Sequence, residues 1–249
     1  MAVKVLDVKI DTYTRGEALD KVGEFVSEEK GYMIFTPNPE MLVAAHQDQY
    51  LKEILNSSSL NICDGKGLGM AIGCERIPGI DFMIDICGYA EKNGYTVYLL
   101  GSESEGVLLN TAQQLEKKFP ELKIVGHHPG PKLESLPNKK LEYKSSDNEQ
   151  IKNDIIKASP DILFVGFGHG KQEKWIYENI DYLSGVKVVM GVGGSFDMIS
   201  GKLRRAPKII RKIGFEWLWR LIQQPSRIGR IWTALVKFPI LFLAQRKNK

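Results

Sequence analysis

The feature that most constrains the fold of this chain is a repeated alternation of short apolar runs with longer amphipathic stretches. Residues 97–100 and 162–165 are continuously apolar, which is typical of strands buried on both faces of a parallel sheet. The alternation predicts an α/β fold, namely a Rossmann-like, doubly wound, mostly parallel sheet with right-handed crossovers. The predicted elements include one strand over 4–10, one helix over 40–55 and one helix over 208–224.

Charge divides the chain into two parts. Residues 202–249 contain thirteen lysines and arginines and one glutamate, whereas residues 1–201 contain 21 basic and 29 acidic residues. We therefore predict an α/β catalytic domain over 1–201 and a basic, amphipathic helical appendage over 202–249. Such a segregation of charge indicates an anionic partner, either a lipid surface or a nucleic acid. Tryptophans and apolar faces on the tail helices favour an anionic membrane surface and argue against nucleic acid.

Three features predict where the protein acts. The longest apolar run, 231–244, is short for a membrane span and contains Lys237 and Pro239, so we expect no spanning helix. The amino-terminal residues carry several charges, unlike a signal peptide. The three scattered cysteines form no CxxC pair and suit a reducing compartment. We expect a cytoplasmic protein bound peripherally to the inner face of the cell membrane.

Small or polar residues follow five of the predicted strands. Because ligands in doubly wound folds collect beyond the carboxyl ends of the strands, these segments predict one ligand crevice. Their glycines match neither the GxGxxG pattern of dinucleotide-binding enzymes nor the GxxxxGK[ST] pattern of the P-loop. A dehydrogenase-like enzyme is therefore disfavoured.

Asp64 is the sharpest candidate in the crevice, and two interpretations of it remain open. It follows a predicted strand and precedes Gly65, so its carboxylate could cap a helix. It could equally act as a general base that takes a proton from an acceptor hydroxyl. The chain has no Asp-x-Asp motif and no histidines at metal-ligand spacing, so we expect neither a metal nor a cofactor. Tail arginines could instead stabilise a departing diphosphate.

Six short motifs, taken in order, resemble the WecG/TagA/CpsF glycosyltransferases (glycosyltransferase family 26) over residues 7–230. They are Thr36-Pro37-Asn38, Asp64-Gly65, Lys171-Gln172-Glu173, Val-Gly-Gly-Ser-Phe-Asp at 192–197, Arg205-Ala206-Pro207 and Glu-Trp-Leu-Trp-Arg-Leu at 216–221. The chain departs from the family pattern at Cys63 and Gly170, where proline is usual, and over residues 127–130 and 224–226. The last two departures leave the donor and the position of the acceptor open.

The resemblance implies an inverting, metal-independent enzyme that uses a UDP-sugar donor and an undecaprenyl-diphosphate-linked acceptor. The first specific expectation is transfer of N-acetylmannosamine to GlcNAc in the synthesis of teichoic acid or another cell-surface polysaccharide. The same scaffold would serve an N-acetylmannosaminuronic acid, glucosyl or galactosyl donor. A more distant alternative is a nucleotide-binding protein whose basic tail binds nucleic acid. Homo-oligomerisation is left open.

The resemblance also assigns roles to individual residues. It implies that Asp64 is the general base and that Thr36 is its polar neighbour in the active site. The positions that match nucleotide-sugar contacts in the family are Asn38, Gln172, Gly193, Gly194 and Asp197. The positions that match diphosphate-binding arginines of the appendage are Arg220, Arg227 and Arg230.

Overall fold

The computed structural model describes residues 1–102 and 104–247, and its first element is a hairpin. Strands β1 (Ala2–Val5) and β2 (Val8–Asp11) pair antiparallel, so the prediction of a single strand over 4–10 was wrong. Leu6 and Asp7 both have positive φ, 48° and 65°, as a tight two-residue hairpin turn requires. The sequence hides this turn because neither residue is glycine or asparagine. The Leu6 N–H donates to Oε1 of Gln245, 2.9 Å away, which holds the turn by a tertiary contact.

The predicted α/β fold is confirmed. In the described part of the chain, six parallel strands form one sheet in the order β4-β3-β8-β7-β5-β6. Successive residues of β3 point into different hydrophobic clusters, Met33 and Phe35 into one and Ile34 into the other. The sheet is therefore buried on both faces. Its strands are β3 (Tyr32–Phe35), β4 (Leu60–Asn61), β5 (Thr96–Leu100), β6 (Lys123–His128), β7 (Ile162–Val165) and β8 (Val188–Gly191).

Helices connect the strands and cover both faces of the sheet. The helices of residues 1–201 are α1 (Arg15–Val26), α2 (Pro39–Gln47), α3 (Gln49–Ser57), α4 (Lys66–Ile72), α5 (Gly79–Asn93), α6 (Glu105–Lys118), α7 (Ser145–Ala158), α8 (Lys171–Asn179) and α9 (Ser195–Ile199). The helix predicted over 40–55 is broken between α2 and α3. Asp48 ends α2 in an extended conformation, and its side chain accepts the N–H of Leu51 to begin α3.

The tail begins with two short helices where one was predicted over 208–224. Helix α10 (Lys208–Ile213) ends at Gly214, whose φ is +88°, and α11 (Glu216–Gln223) follows. A left-handed glycine is the common way to end a helix. At Gly214 a Cβ would lie 2.3 Å from Cδ of Lys66, so the turn also allows a close approach to α4.

Residues 225–247 then form one continuous helical run. It comprises a 3₁₀ turn (Pro225–Arg227), α12 (Ile228–Trp232), a π turn (Thr233–Lys237) and α13 (Phe238–Lys247). At 23 residues it is long and apolar enough to cross a membrane, by length and composition alone. The helical run is thus longer than the apolar run 231–244, and the expectation that no helix spans the membrane stays a prediction. Pro239 does not end the run: it is the second residue of α13 and follows closely on the π turn.

The tail packs on the body through one side of α13. Phe238 is buried in the same hydrophobic cluster as Met41 and Leu42 of α2, and Phe242 stacks on it. The opposite side faces outward. The division of the chain into two domains at residues 201 and 202 stays a prediction.

Candidate active site

A cavity of about 470 Å³ lies at the carboxyl ends of the strands, between the strand-end loops and the tail. The loops after β3, β4, β5, β7 and β8 line it from the body, as the position of a doubly wound crevice predicts. Helix α11 and the segment that follows it line the other side. All ten residues singled out from the sequence line this cavity: Thr36, Asn38, Asp64, Gln172, Gly193, Gly194, Asp197, Arg220, Arg227 and Arg230.

Asp64 lies just beyond the carboxyl ends of β3 and β4 and does not cap α4, the helix that follows it. Its N–H donates to the carbonyl of Pro37, 3.0 Å away, which joins the ends of β3 and β4. The residue that caps α4 is Gly65, without a side-chain hydrogen bond. Oδ2 of Asp64 instead accepts the N–H of Gly79, at 3.3 Å, in the first turn of α5. Because the side chain keeps 27% of its surface exposed, it can meet a ligand in the cavity.

The structure adds Arg76, which the sequence did not single out, to the site. Its Nε lies 3.5 Å from Oδ1 of Asp64, and its Nη2 donates to Oε2 of Glu216 at 3.0 Å. Burial raises the pKa of Asp64 and the Glu216 carboxylate adds to this, while Arg76, the Gly79 N–H and Arg220 oppose it. A carboxylate with a raised pKa in a crevice is suited to proton transfer near neutral pH.

Thr36 and Asn38 form the wall beside Asp64. A Cβ on Gly79 would come within 3.2 Å of Oγ1 of Thr36, so the absence of a side chain there admits the threonine. Oδ1 of Asn38 accepts the N–H of Met41, 3.0 Å away, and thereby caps α2. This bond fixes the orientation of the Asn38 amide at the edge of the cavity.

Gln172 is buried in the cavity wall and holds one of its loops. Its Oε1 accepts the N–H of Gly193 at 2.8 Å, and its Nε2 donates to Oε1 of Glu173 at 2.7 Å. Glu173 in turn accepts the N–H of Gly170 at 2.6 Å. Both polar ends of the Gln172 amide are engaged, so its side chain positions the Gly193 loop. Its contact with the nucleotide-sugar stays a prediction. Burial raises the pKa of Glu173 to about 7.

The loop after β8 brings backbone close to the tail. Gly193 has φ +55°, a conformation that favours glycine. A Cβ on Gly194 would lie 2.9 Å from Nη2 of Arg220, so a side chain there would require the guanidinium to shift. Asp197, at the start of α9, is 3.4 Å from Nζ of Lys202.

The three predicted arginines differ in their partners. Arg230 pairs with Glu40, whose Oε2 is 3.0 Å from its Nη2, and contacts Nδ1 of His169 at 3.1 Å. Within residues 1–102 and 104–247, no carboxylate lies within 4.0 Å of Arg220 or Arg227. Sequence reasoning missed Glu40, which belongs to none of the quoted motifs.

Burial and mutual repulsion act on the unpaired arginines. Burial, together with Arg230, lowers the pKa of Arg220. Burial, together with Arg220 and Arg230, lowers the pKa of Arg227 to about 10. More distant carboxylates only partly oppose this, namely Asp64, Asp197 and Glu216 at Arg220 and Glu40 at Arg227. Partly buried cations with no carboxylate in contact are costly, so this side of the cavity is suited to an anion. Bidentate guanidinium groups favour phosphate oxygens in particular.

The fold and the cavity therefore define an α/β enzyme with a candidate base on one side of its crevice and an anion-binding cluster on the other. Comparison with known proteins makes this specific: the model of the WecG/TagA/CpsF glycosyltransferase family matches residues 3–249. The chain belongs to this family and is a glycosyltransferase.

Two curated relatives from Staphylococcus aureus illustrate the similarity. Both are named N-acetylglucosaminyldiphosphoundecaprenol N-acetyl-beta-D-mannosaminyltransferase. The protein of strain MW2 is 30% identical over 256 residues, and that of strain MRSA252 is 31% identical over 257 residues. Each alignment covers 99% of this chain and 94% of the relative, so the similarity includes the tail.

Proposed function

We propose that this protein is an inverting, metal-independent glycosyltransferase that moves N-acetylmannosamine from its UDP donor to undecaprenyl-diphosphate-linked GlcNAc. The product would serve the synthesis of teichoic acid or a related cell-surface polysaccharide. The names of the two relatives support the choice of donor and acceptor. The observation that carries the reaction type is the presence of Asp64 and the unpaired Arg220 and Arg227 in one cavity.

The proposed reaction is a single displacement. Asp64 takes the proton of the acceptor hydroxyl while that oxygen forms a bond to the anomeric carbon of the donor. The bond between this carbon and the diphosphate oxygen breaks on the opposite face, so the configuration inverts and UDP leaves as an anion. Arg220 and Arg227 stabilise the charge that develops on the diphosphate. Thr36 and Asn38 contact the sugar nucleotide beside the base, while Gln172 keeps the Gly193–Gly194 backbone in place.

We further propose that the protein works in the cytoplasm, on the inner face of the cell membrane. Support comes from the exposed apolar side chains that the tail carries among its basic residues: Ile209, Ile213, Phe215, Leu218, Ile222, Ile228, Trp232, Leu235, Ile240 and Leu243. Clustered exposed apolar residues with flanking cations suit an anionic lipid surface. High salt should release a peripheral protein from membranes, whereas a spanning helix would resist extraction.

The reaction is tested by incubating the protein with a panel of UDP-sugars and a short-chain lipid-diphosphate-GlcNAc. We expect UDP release and a new β-linked disaccharide lipid with UDP-N-acetylmannosamine, and undiminished turnover in EDTA. Faster turnover with UDP-glucose, UDP-galactose or the uronic acid donor would change the donor but keep the reaction type. The absence of transfer from every donor would contradict the proposal.

A further inference from the structure

Glu216 is the only acidic residue among residues 202–249, and the fold buries it in the active-site cavity. It is the first residue of α11, and only 9% of its surface is exposed. Burial of a carboxylate is costly unless it is paired. A segment with thirteen basic residues has therefore placed its one negative charge beside the candidate base.

Two carboxylates share one guanidinium at this point. Nη2 of Arg76 donates to Oε2 of Glu216 at 3.0 Å, whereas Nε of Arg76 is 3.5 Å from Oδ1 of Asp64 and makes no hydrogen bond. The tail carboxylate thus has the shorter contact with an arginine that belongs to the body.

Glu216 is itself held in place from its other side. Nε of Arg205 lies 3.7 Å from its Oε1. The same guanidinium makes two hydrogen bonds, of 2.7 and 2.6 Å, to Asp81 of α5. The Asp81–Arg205 pair therefore fixes the position from which Glu216 reaches Arg76.

We propose that Glu216 is a positioning residue that engages Arg76 when the tail is docked and so leaves the Asp64 carboxylate available to accept the acceptor proton. This inference rests on the proposed role of Asp64 as general base. It couples closure of the tail to the strength of the base, because an undocked tail leaves Arg76 with Asp64 as its partner.

The charges around Asp64 determine the direction of the effect. The charged and titratable groups that face it are Arg76 from the segment before α5, Glu216 and Arg220 from α11, and the neighbouring Cys63 thiol. An unshared cation within about 4–6 Å lowers the pKa of a carboxyl by about one to three. The Glu216 charge acts in the opposite direction and raises the pKa of Asp64, which makes Asp64 the better base.

The test is the pH dependence of kcat in Glu216→Gln. A base must be deprotonated to act, so kcat falls below its pKa. Without the Glu216 charge the pKa of Asp64 falls, and we expect the acid limb to move down by about one pH unit. We also expect the plateau kcat to fall by roughly threefold to tenfold, because a weaker base transfers the proton less readily. Glu216→Asp retains the charge and should move the limb by less than half as much.

Two further variants separate this effect from simple loosening of the tail. Glu40→Gln breaks the contact with Arg230, another carboxylate–arginine contact between body and tail. It should lower kcat at every pH without moving the acid limb. In an Arg76→Gln background, Glu216→Gln should move the limb by less than in the wild type, because the shared guanidinium is gone.

If Glu216→Gln retains transfer and the acid limb of its kcat–pH profile does not move, this inference is overturned and the proposed function stays intact. Should Glu216→Gln fail to fold, Arg76→Gln alone decides the same question, because Asp64 then faces the Glu216 charge without the shared cation. The acid limb should move to higher pH in that variant, and an unmoved limb would overturn the inference. Loss of transfer in the wild type itself would instead count against the proposed function.

Discussion

At the scale of single residues, two carboxylates near the carboxyl ends of the strands have different roles because their surroundings differ. Burial raises the pKa of both Asp64 and Glu173. Asp64 nevertheless keeps 27% of its side chain exposed to the cavity, where an acceptor hydroxyl can reach it. Glu173 is fully buried, and its two oxygens accept hydrogen bonds from Gln172 and Gly170. The first is suited to proton transfer and the second to holding a loop.

Asp64→Asn tests the base. Asparagine keeps the size of the side chain and an oxygen for the Gly79 N–H, but it cannot take a proton. We expect transfer to fall by about 10²–10⁴-fold, while calorimetry shows UDP-sugar binding within about threefold of wild type. Full activity in this variant would remove Asp64 as the base.

Glu173 predicts a pH dependence of stability. Its pKa rises from an ordinary 4.5 to about 7 in the folded protein, so the folded state binds more protons than the unfolded state between these values. Its contribution to stability is therefore complete below about pH 4.5 and is lost as the pH rises through about 7. Urea unfolding at about pH 5 and about pH 8 should show a larger loss in the wild type than in Glu173→Gln. Equal losses in the two proteins would contradict this assignment.

At the scale of elements, the tail helices differ from those of the body in what they expose. Helices α1 to α9 turn their apolar residues toward the sheet, with few exceptions such as Leu109 on α6 and Met70 on α4. The segment 225–247 packs Phe238 against α2, and most of its other apolar residues are not buried in the protein. An element with this pattern has a second apolar environment to meet, for which a lipid surface is our proposal.

Trp232→Glu tests the outward face of the tail. The side chain is 58% exposed, so the substitution should change the thermal midpoint little. We expect binding to vesicles that contain phosphatidylglycerol to fall by roughly fivefold or more in a flotation assay. Leu109→Glu is the matched control, because Leu109 is 45% exposed on the body and should leave vesicle binding unchanged. Equal effects of the two substitutions would argue against a specific lipid-binding face.

At the scale of the whole molecule, the candidate active site is assembled from two distant parts of the chain. The strand-end loops supply Asp64 and the glycine backbone, whereas the tail supplies Glu216, Arg220 and Arg227. The contact between Arg76 and Glu216 joins residues 140 apart in sequence, and that between Glu40 and Arg230 joins residues 190 apart. Neither part alone contains both the candidate base and the anion-binding cluster.

Deletion of residues 202–249 should therefore abolish turnover on the proposed lipid-linked acceptor. The truncated protein retains the whole sheet and should fold, but the face of α2 that Phe238 covers becomes exposed. We expect a lower thermal midpoint and reduced solubility, measured by calorimetry and light scattering. Asp64→Asn in the full chain is the matched inactive control, since it should keep the wild-type midpoint. If the truncated form turned over, the tail would not be needed for catalysis and would serve only as an anchor.

The sequence by itself determined the α/β class and the strand ends that form the crevice, while its resemblance to a known family supplied most of the ten residues around it. These features depend on local patterns, namely continuous apolar runs and short motifs, which can be recognised without knowing which residues are neighbours in the fold. The hairpin turn at Leu6–Asp7 and the helix breaks at Asp48 and Gly214 were not predicted from such patterns.

The tertiary structure decided which charges meet. Arg76, Glu40 and the pairing role of Glu216 follow from contacts between parts of the chain far apart in sequence, and no local pattern encodes those contacts. It also decided that Gln172 holds the Gly193 loop, and that Arg230 is paired while Arg220 and Arg227 are not. Charge interactions depend on distance and burial, and only the folded chain sets these two quantities.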